Sequence, residues 1–256
     1  MLIEGHAGVG KTESAKVLAH YLGTELIRLQ CHEGLDVNSA VYEWNYQKQL
    51  LSIKIHETTD KSAEERERLI FGREFLLERP LLKSLTAKDY PPVLLIDEID
   101  RADEGFEALL LELLSEFQIS IPELGTIKSA HPPYVILTSN RTRELSDALK
   151  RRCLYHWIDY PSKEKELRIV RKKIPEIDEI LAGQVVNFVQ TIRQKKLSKT
   201  PGVAETLDWV AALLALNKTE LDSLTVEQTI GCILKATEDI SAIRVEGIGN
   251  MLSRAP

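Results

Sequence analysis

The segment of residues 5–12, GHAGVGKT, constrains this chain more than any other part of its sequence. Its three glycines permit backbone angles that other residues avoid, so the chain can turn sharply there. The apolar residues Leu2 and Ile3 precede the segment, and a helical alternation of apolar and polar residues follows it from Glu13. The sequence therefore predicts a strand, a glycine-rich loop and a helix in immediate succession.

This loop has the GxxxxGK[ST] pattern that binds the phosphates of a nucleotide. Its glycines let backbone N–H groups converge on the phosphates, and the positive end of the following helix points at them. Lys11 is expected to reach the β- and γ-phosphates, and the Thr12 hydroxyl to contact Mg²⁺. The candidate nucleotide-binding residues of the loop are Gly5, His6, Ala7, Gly8, Val9, Gly10, Lys11 and Thr12.

A second candidate element is the run VLLIDEID after Pro91 and Pro92, which is typical of a strand buried on both faces. It ends in two adjacent acids, Asp97 and Glu98. Neighbouring strand residues point in opposite directions, so the two carboxylates can serve different partners. We expect Asp97 to hold Mg²⁺ through water, and Glu98 to act as the general base that orients the attacking water.

A third element is VILTSN, a buried strand that ends at Asn140. If this strand lies between the two strands described above, the Asn140 amide comes between the γ-phosphate and the water. The basic triple Lys150, Arg151 and Arg152 follows. It cannot easily fold back to the same nucleotide, but it could reach the nucleotide of a neighbouring subunit.

Strand-like runs alternate with helical patterns as far as about residue 160, which predicts an α/β fold with a parallel sheet. After Pro161 the pattern is helical, with Ser162 as a helix N-cap, so we divide the chain into a core of residues 1–160 and a small helical domain of residues 161–256. The other predicted elements are helices at residues 13–21, 60–78, 105–117 and 204–216, strands at 26–29 and 155–160, and a hairpin around 119–127.

Composition excludes several classes of protein. The 256 residues include 33 Lys and Arg against 39 Asp and Glu, a net charge of −6 that argues against charge-driven binding to nucleic acid or to anionic membranes. No apolar run approaches the length of a membrane span and Met1 begins no signal segment, so a cytoplasmic protein is expected. Cys31 with His32 and Cys153 with His156 supply two ligands each at most, so reduced thiols are expected rather than a metal site.

Two further patterns leave alternatives open. NKTE at residues 217–220 is close to the guanine-reading NKxD, but helical residues precede it and Thr219 with Asp222 fits a capping box, so we expect ATP rather than GTP. Two interpretations are equally open for the aromatic residues Tyr42, Trp44 and Tyr46: they pack in the protein interior, or they form a surface that contacts a partner.

GHAGVGKT, LLIDEID, TSN and ALKRRC, in this order and spacing, resemble the ring-forming AAA+ ATPases, particularly the MoxR branch. LQCHEGLDVNSAVYEWNYQKQLL and TSNRTRELSDALKRRCLYHWIDYP are similar to the accessory ATPases encoded beside carbon monoxide dehydrogenase. The resemblance covers most of the chain. It implies a P-loop NTPase fold, with a three-layer α/β/α core around a parallel sheet and a small all-helical lid domain.

The resemblance also implies partners. It implies a homo-oligomer, a hexameric ring with ATP at the subunit junctions, in which Arg152 matches the arginine finger and Arg151 is the alternative. Members of this family typically work with a partner that carries a von Willebrand factor A domain, and they remodel or mature a metalloenzyme client.

Two departures from the family pattern matter. Relatives have residues ahead of the first strand that close over the adenine, whereas this chain has four residues before Gly5, so we expect a truncated start or a loosely held adenine. Many relatives carry a lid arginine where this chain has GVAET, with Thr206 in its place.

The leading hypothesis from the sequence is an ATP-driven remodelling factor. Two alternatives remain open: a nucleotide-gated scaffold with little turnover, and a nucleic-acid motor or clamp loader on the same core.

Overall fold

The structure, a computed structural model, describes residues 1–55 and 70–253. These residues form two compact units. The first comprises Met1–Gly5 with Lys11–Trp157, and the second comprises His6–Gly10 with Ile158–Pro256. No helix in the described ranges is both long and apolar enough to cross a membrane.

A five-stranded sheet forms the centre of the first unit. Its strands are β1 (Leu2–Gly5), β2 (Leu26–Gln30), β5 (Val93–Asp97), β8 (Tyr134–Ser139) and β9 (Tyr155–Ile158). Their order in the sheet is β2-β5-β8-β1-β9, and β2 pairs parallel with β5, β5 with β8, and β8 with β1. The strand order places β8 between β1 and β5, as the sequence analysis required for Asn140.

The sheet is buried because its central strands are almost entirely apolar. Every residue of β5 is buried, which is typical of a strand covered by helices on both faces of a parallel sheet. The helices of this unit are α1 (Lys11–Leu22), α2 (Val37–Ala40), α3 (Tyr46–Ile55), α4 (Pro80–Leu85), α5 (Glu104–Glu116) and α6 (Asp147–Arg151). A core of Leu, Ile and Phe side chains, including Leu94, Phe106 and Leu110, fills the space between the layers.

Two antiparallel pairs complete the first unit. β6 (Gln118–Ile121) and β7 (Gly125–Lys128) form the predicted hairpin. β3 (Tyr42–Trp44) pairs with β4 (Leu76–Glu78). Trp44 is buried in this small sheet, edge-on to Phe71 at 5.2 Å between ring centroids, whereas Tyr46 is 63% exposed.

The second unit contains only helices among its described regular elements. They are α7 (Lys163–Lys173), α8 (Glu179–Arg193), α9 (Val203–Ala215), α10 (Ser223–Thr229), α11 (Thr237–Glu246) and α12 (Ile248–Ser253). The Ser162 hydroxyl caps α7 as predicted, since it accepts a hydrogen bond from the Lys165 N–H. A separate apolar core holds these helices together, with Phe188 and Trp209 fully buried in it.

Two sequence predictions are wrong in the described residues. The helix predicted at residues 60–78 does not reach its expected end, because Arg73–Phe75 is a 3₁₀ turn and Leu76–Glu78 is β4, whose backbone pairs with β3. Its residues 60–69 lie outside the described part of the chain. The predicted cap at Thr219 is also wrong, because Asp222 is the N-cap of α10 and accepts from the Thr225 N–H.

Candidate nucleotide-binding site

Lys11 and Thr12 stand at the start of α1, directly after the glycine-rich loop. Lys11 is 7% exposed, and its Nζ donates to the Gly5 carbonyl at 2.8 Å. Burial lowers the pKa of Lys11, and the negative charges of nearby carboxylates oppose that shift. These carboxylates are Asp100, Asp97, Glu98 and Glu4. The ammonium group thus sits in a partly desolvated place where a phosphate would be a favourable partner.

Asp97 ends β5 beside Thr12, although 85 positions separate the two residues in sequence. Thr12 Oγ1 donates to Asp97 Oδ1 at 3.1 Å, and Thr138 Oγ1 donates to the same oxygen at 2.5 Å. Arg28 Nη2 lies 2.6 Å from Asp97 Oδ2. The carboxylate is only 5% exposed, and these hydrogen bonds and the ion pair compensate the cost of burying its charge.

This arrangement fits Mg²⁺. A hydroxyl and a carboxylate in contact are hard oxygen donors, and Mg²⁺ in proteins is held by one or two such ligands with waters and substrate phosphates. Thr12 and Asp97 would hold the ion. Phosphate oxygens of a nucleotide and water molecules would complete its coordination.

Glu98 adopts a left-handed backbone conformation, with φ 56° and ψ 49°, which is uncommon for a residue other than glycine. Its Oε1 accepts from Asn140 Nδ2 at 3.2 Å. Its Oε2 lies 2.9 Å from Arg101 Nε and accepts from Gln30 Nε2 at 3.1 Å. Because strained backbone tends to occur at functional positions, this conformation supports a chemical task for the carboxylate.

Asn140 is positioned by Asp100, which the sequence analysis did not single out. Asp100 Oδ1 accepts from the Asn140 N–H at 3.1 Å, and Oδ2 accepts from the N–H and hydroxyl of Thr142 at 2.8 and 2.7 Å. Burial disfavours the Asp100 anion, yet the hydrogen bonds from Thr142 and Asn140 outweigh it and lower the pKa of this carboxyl. Asp100 therefore stays ionised and fixes the loop after β8.

Three further site residues were not predicted from the sequence: Arg28, Gln30 and Thr138. Arg28 and Gln30 lie two positions apart on β2, on one side of the strand, and the register places Gln30 opposite Asp97. The alternation of polar and apolar residues in LIRLQ indicates that Arg28 and Gln30 share a polar face of the strand. The sequence does not show which strand lies beside this face; the strand order shows that it is β5, which carries the acids.

The middle of the loop, His6–Gly10, belongs to the second unit. Gly8 and Gly10 have φ of 72° and 94°, the left-handed region that glycine tolerates best. The His6 ring stacks on Tyr160 with centroids 4.5 Å apart. Thr206 of the same unit is buried and donates to Glu166, so it is part of a polar network inside the helical unit.

Arg151 and Arg152 are exposed at the C-terminal end of α6. Across residues 1–55 and 70–253, neither guanidinium has an ion-pair or hydrogen-bond partner. A cationic pair with this exposure is available to a neighbouring molecule.

Cys31 and Cys153, each followed closely by a histidine in the sequence, lie in a buried and a half-buried position respectively. Cys31 is 1% exposed beneath the acids of β5, and burial together with the charge of Asp97 raises the pKa of its thiol to about 12. Cys31, Cys153 and Cys232 are all free thiols.

Known proteins resemble this chain both in sequence and in fold. Residues 1–153 match the family described as AAA domain (dynein-related subfamily). Uncharacterized proteins of Staphylococcus epidermidis and Staphylococcus aureus are 24% and 25% identical to it, each over 257 residues that cover 93% of this chain and 89% of the relative.

The fold is similar to that of the Thermotoga maritima RuvB Holliday junction branch migration motor, with a TM-score of 0.50 and 19% identity over 90% of this chain. A point mutant of that motor gives a TM-score of 0.52 and 18% identity over 93% of this chain. The chain spans 60% and 64% of the length of these two motor chains, and at such identities the similarity concerns the fold alone. Since the family match covers more than half of its residues, the chain belongs to the AAA domain family, dynein-related subfamily.

Proposed function

We propose that this chain is a Mg²⁺-dependent ATPase of MoxR type, which hydrolyses ATP to ADP and phosphate. The observation that carries the proposal is the hydrogen bond from the Asn140 amide to Glu98, at 3.2 Å. It joins the candidate base to the candidate water-positioning residue. The neighbouring acid, Asp97, touches the Thr12 hydroxyl.

Each residue has a task in the proposed reaction. Lys11 binds the β- and γ-phosphates by its charge, and it exchanges the Gly5 carbonyl for a phosphate oxygen when ATP enters. Glu98 orients and polarises the attacking water, and Asn140 holds that water in line with the γ-phosphate. Thr12 and Asp97 would hold Mg²⁺, which would neutralise negative charge on the phosphates.

We further propose that the protein works as a hexameric ring in the cytoplasm, with Arg152 completing the site of a neighbouring subunit. The exposure of Arg151 and Arg152 at the end of α6 supports donation to another molecule. An arginine supplied in this way stabilises charge on the transferring phosphoryl group and is worth roughly 10³ to 10⁵ in rate. Arg152→Ala should therefore be inactive, and mixing it with a Lys11→Ala protein should restore part of the activity.

The use of the free energy of ATP hydrolysis is inferred from the resemblance of this sequence to the MoxR branch of AAA+ ATPases. We propose a chaperone-like remodelling factor that acts with a partner carrying a von Willebrand factor A domain and aids the maturation or metal-centre assembly of a metalloenzyme, such as carbon monoxide dehydrogenase. The segments of residues 29–51 and 138–161 support this assignment by their likeness to those accessory ATPases.

The proposal is tested with Glu98→Gln, which keeps the size of the side chain but removes its basicity. Glu112→Gln, an exposed glutamate on α5, is the matched control. Glu98→Gln should bind ATP like the wild type and lose about 10²-fold or more in turnover, whereas Glu112→Gln should keep wild-type turnover. Wild-type turnover in Glu98→Gln would remove this residue from the chemistry.

A nucleotide-gated scaffold is the second candidate function. The pairing of Arg28 with Asp97 favours it, because that ion pair competes with Mg²⁺ for the same carboxylate. ATP binding without turnover, also in the assembled ring with its partner protein, would favour the scaffold. Tight duplex binding with a steep salt dependence would instead favour a nucleic-acid motor.

A further inference from the structure

The glycine-rich loop is attached to the first turn of α9 within the second unit. The Gly8 carbonyl accepts hydrogen bonds from the N–H groups of Val203 and Ala204, at 3.0 and 3.2 Å. These two N–H groups belong to the first turn of α9, where a helix has no internal acceptors for them. The loop carbonyl therefore takes the place of a helix cap.

This contact depends on the absence of a side chain at Gly202. A Cβ at that position would lie 2.6 Å from the Ala7 carbonyl oxygen and 2.8 Å from the Gly8 Cα. Both atoms belong to backbone, so the loop and the helix would have to move apart. Gly202 has a φ of −87°, which any residue adopts, so its role rests on close approach and not on backbone freedom.

A stack of three side chains forms a second attachment of the same loop. The His6 and Tyr160 rings are nearly parallel, at 8°. The Arg193 guanidinium carbon lies 4.9 Å from the centroid of the Tyr160 ring. Arg193 is itself fixed, because its Nη1 and Nη2 bind Glu166 at 2.5 and 2.8 Å and both side chains are almost fully buried.

Glu205 completes the attachment at the start of α9. Its Oε2 accepts from the Gly202 N–H at 2.9 Å, and it lies 2.9 Å from the point that a Cβ on Gly8 would occupy. The first turn of α9, capped by the Glu205 carboxylate, therefore lies against the loop. This turn is part of GVAET, residues 202–206, where many members of the resembling family carry the lid arginine.

We propose that Gly202 and Tyr160 are positioning residues for ATP: they hold the glycine-rich loop in its phosphate-receiving shape through the Gly8 carbonyl and the His6 ring. This inference rests on the proposed function. The loop carries the backbone N–H groups that bind the phosphates. Displacement of the loop should therefore weaken the affinity of the protein for ATP more than it lowers the turnover number.

The first test is Gly202→Ala, with Gly183→Ala as the matched control, because a Cβ on Gly183 of α8 would meet nothing within 4 Å. We expect the Kd of a fluorescent ATP analogue with Mg²⁺ to rise roughly tenfold or more in Gly202→Ala and to stay unchanged in Gly183→Ala. The KM for ATP should rise in parallel, with a smaller change in kcat. Equal affinity in both variants would overturn the proposal.

The second test does not depend on the folding of Gly202→Ala. Tyr160→Phe and Tyr160→Leu both remove the phenolic hydroxyl, which bonds Thr200, but only the phenylalanine keeps a ring between His6 and Arg193. Tyr160→Phe should bind the analogue like the wild type, and Tyr160→Leu should bind it several-fold more weakly with an unchanged circular dichroism spectrum. Equal affinity of Phe and Leu variants would contradict the role of the stack. A wild type that binds no ATP would overturn the proposed function itself.

Discussion

Arg28→Met removes the ion-pair partner of the buried Asp97 carboxylate and tests how much that pair contributes to stability. Arg28 Nη2 lies 2.6 Å from Asp97 Oδ2, and the carboxylate is 5% exposed while the arginine is 51% exposed. Without the arginine, the side-chain hydrogen bonds that Asp97 keeps within the described part of the chain come from the hydroxyls of Thr12 and Thr138. The substitution should therefore destabilise the protein in solutions without Mg²⁺ and nucleotide, where no bound cation replaces the positive charge of the arginine.

The expected decrease in the free energy of unfolding lies between the values for exposed and for fully buried ion pairs. Exposed ion pairs contribute about 0–1 kcal/mol, and removal of one partner from a fully buried pair costs about 3–5 kcal/mol. One partner here is buried and the other half-exposed, so we expect a loss of about 1–2 kcal/mol after allowance for solvent screening. In a protein of this size that corresponds to a fall in Tm of roughly 2–8 °C.

Thermal unfolding is measured in EDTA and again in saturating Mg²⁺ and ATP. The penalty of Arg28→Met should be present in EDTA and should shrink or vanish with the bound nucleotide, because the cation then neutralises Asp97. Arg79→Met is the control, since it removes an ion pair with Glu43 in which both side chains are exposed and neither residue belongs to the candidate site. Its effect should be small and the same in both conditions. An Arg28→Met penalty that does not change with Mg²⁺ and ATP would refute the reasoning.

Three other predictions concern single side chains of the same region. Asn140→Ala should lower kcat about 10²-fold with little change in ATP affinity, as measured by phosphate release and analogue binding, and unchanged kcat would exclude Asn140 from the chemistry. Thr138→Val should cost about 1–3 kcal/mol in urea unfolding, because the buried hydroxyl donates to Asp97 and accepts from the Glu98 N–H; a cost near zero would contradict this. Burial raises the pKa of Cys31 from 9.0 to about 12, so the unfolded chain loses this proton first and stability should fall as the pH rises from about 9 towards 12. In Cys31→Ala the free energy of unfolding should fall less steeply between about pH 9 and 12. A dependence on pH equal to that of the wild type would contradict the raised pKa of Cys31.

The parts of the fold that local sequence determines could be predicted. The glycines and Lys11 define a strand, loop and helix within about twenty residues, and the structure has β1, the loop and α1 there. Asp97 ends β5 and Asn140 directly follows β8, and parallel strands bring their carboxyl ends to one edge of a sheet. The sequence therefore predicted that Glu98 and Asn140 meet if β8 lies beside β5, and the strand order satisfies that condition.

The parts that depend on distant partners could not be predicted. Residues 76–78 are a strand because they pair with β3, thirty-odd positions earlier, and their own composition favours a helix. Arg28 and Gln30 reach the acids because β2 is the neighbour of β5, which no local pattern specifies. The contact of Gly202 with the loop likewise joins residues almost two hundred positions apart.

The most direct test of the central claim is an experimental structure of Glu98→Gln with Mg²⁺ and ATP. The account predicts intact ATP with its β- and γ-phosphates on Lys11, the cation on Thr12 and Asp97, and the γ-phosphate facing Asn140. Phosphates bound away from Lys11, or a cation held without Thr12 and Asp97, would contradict it.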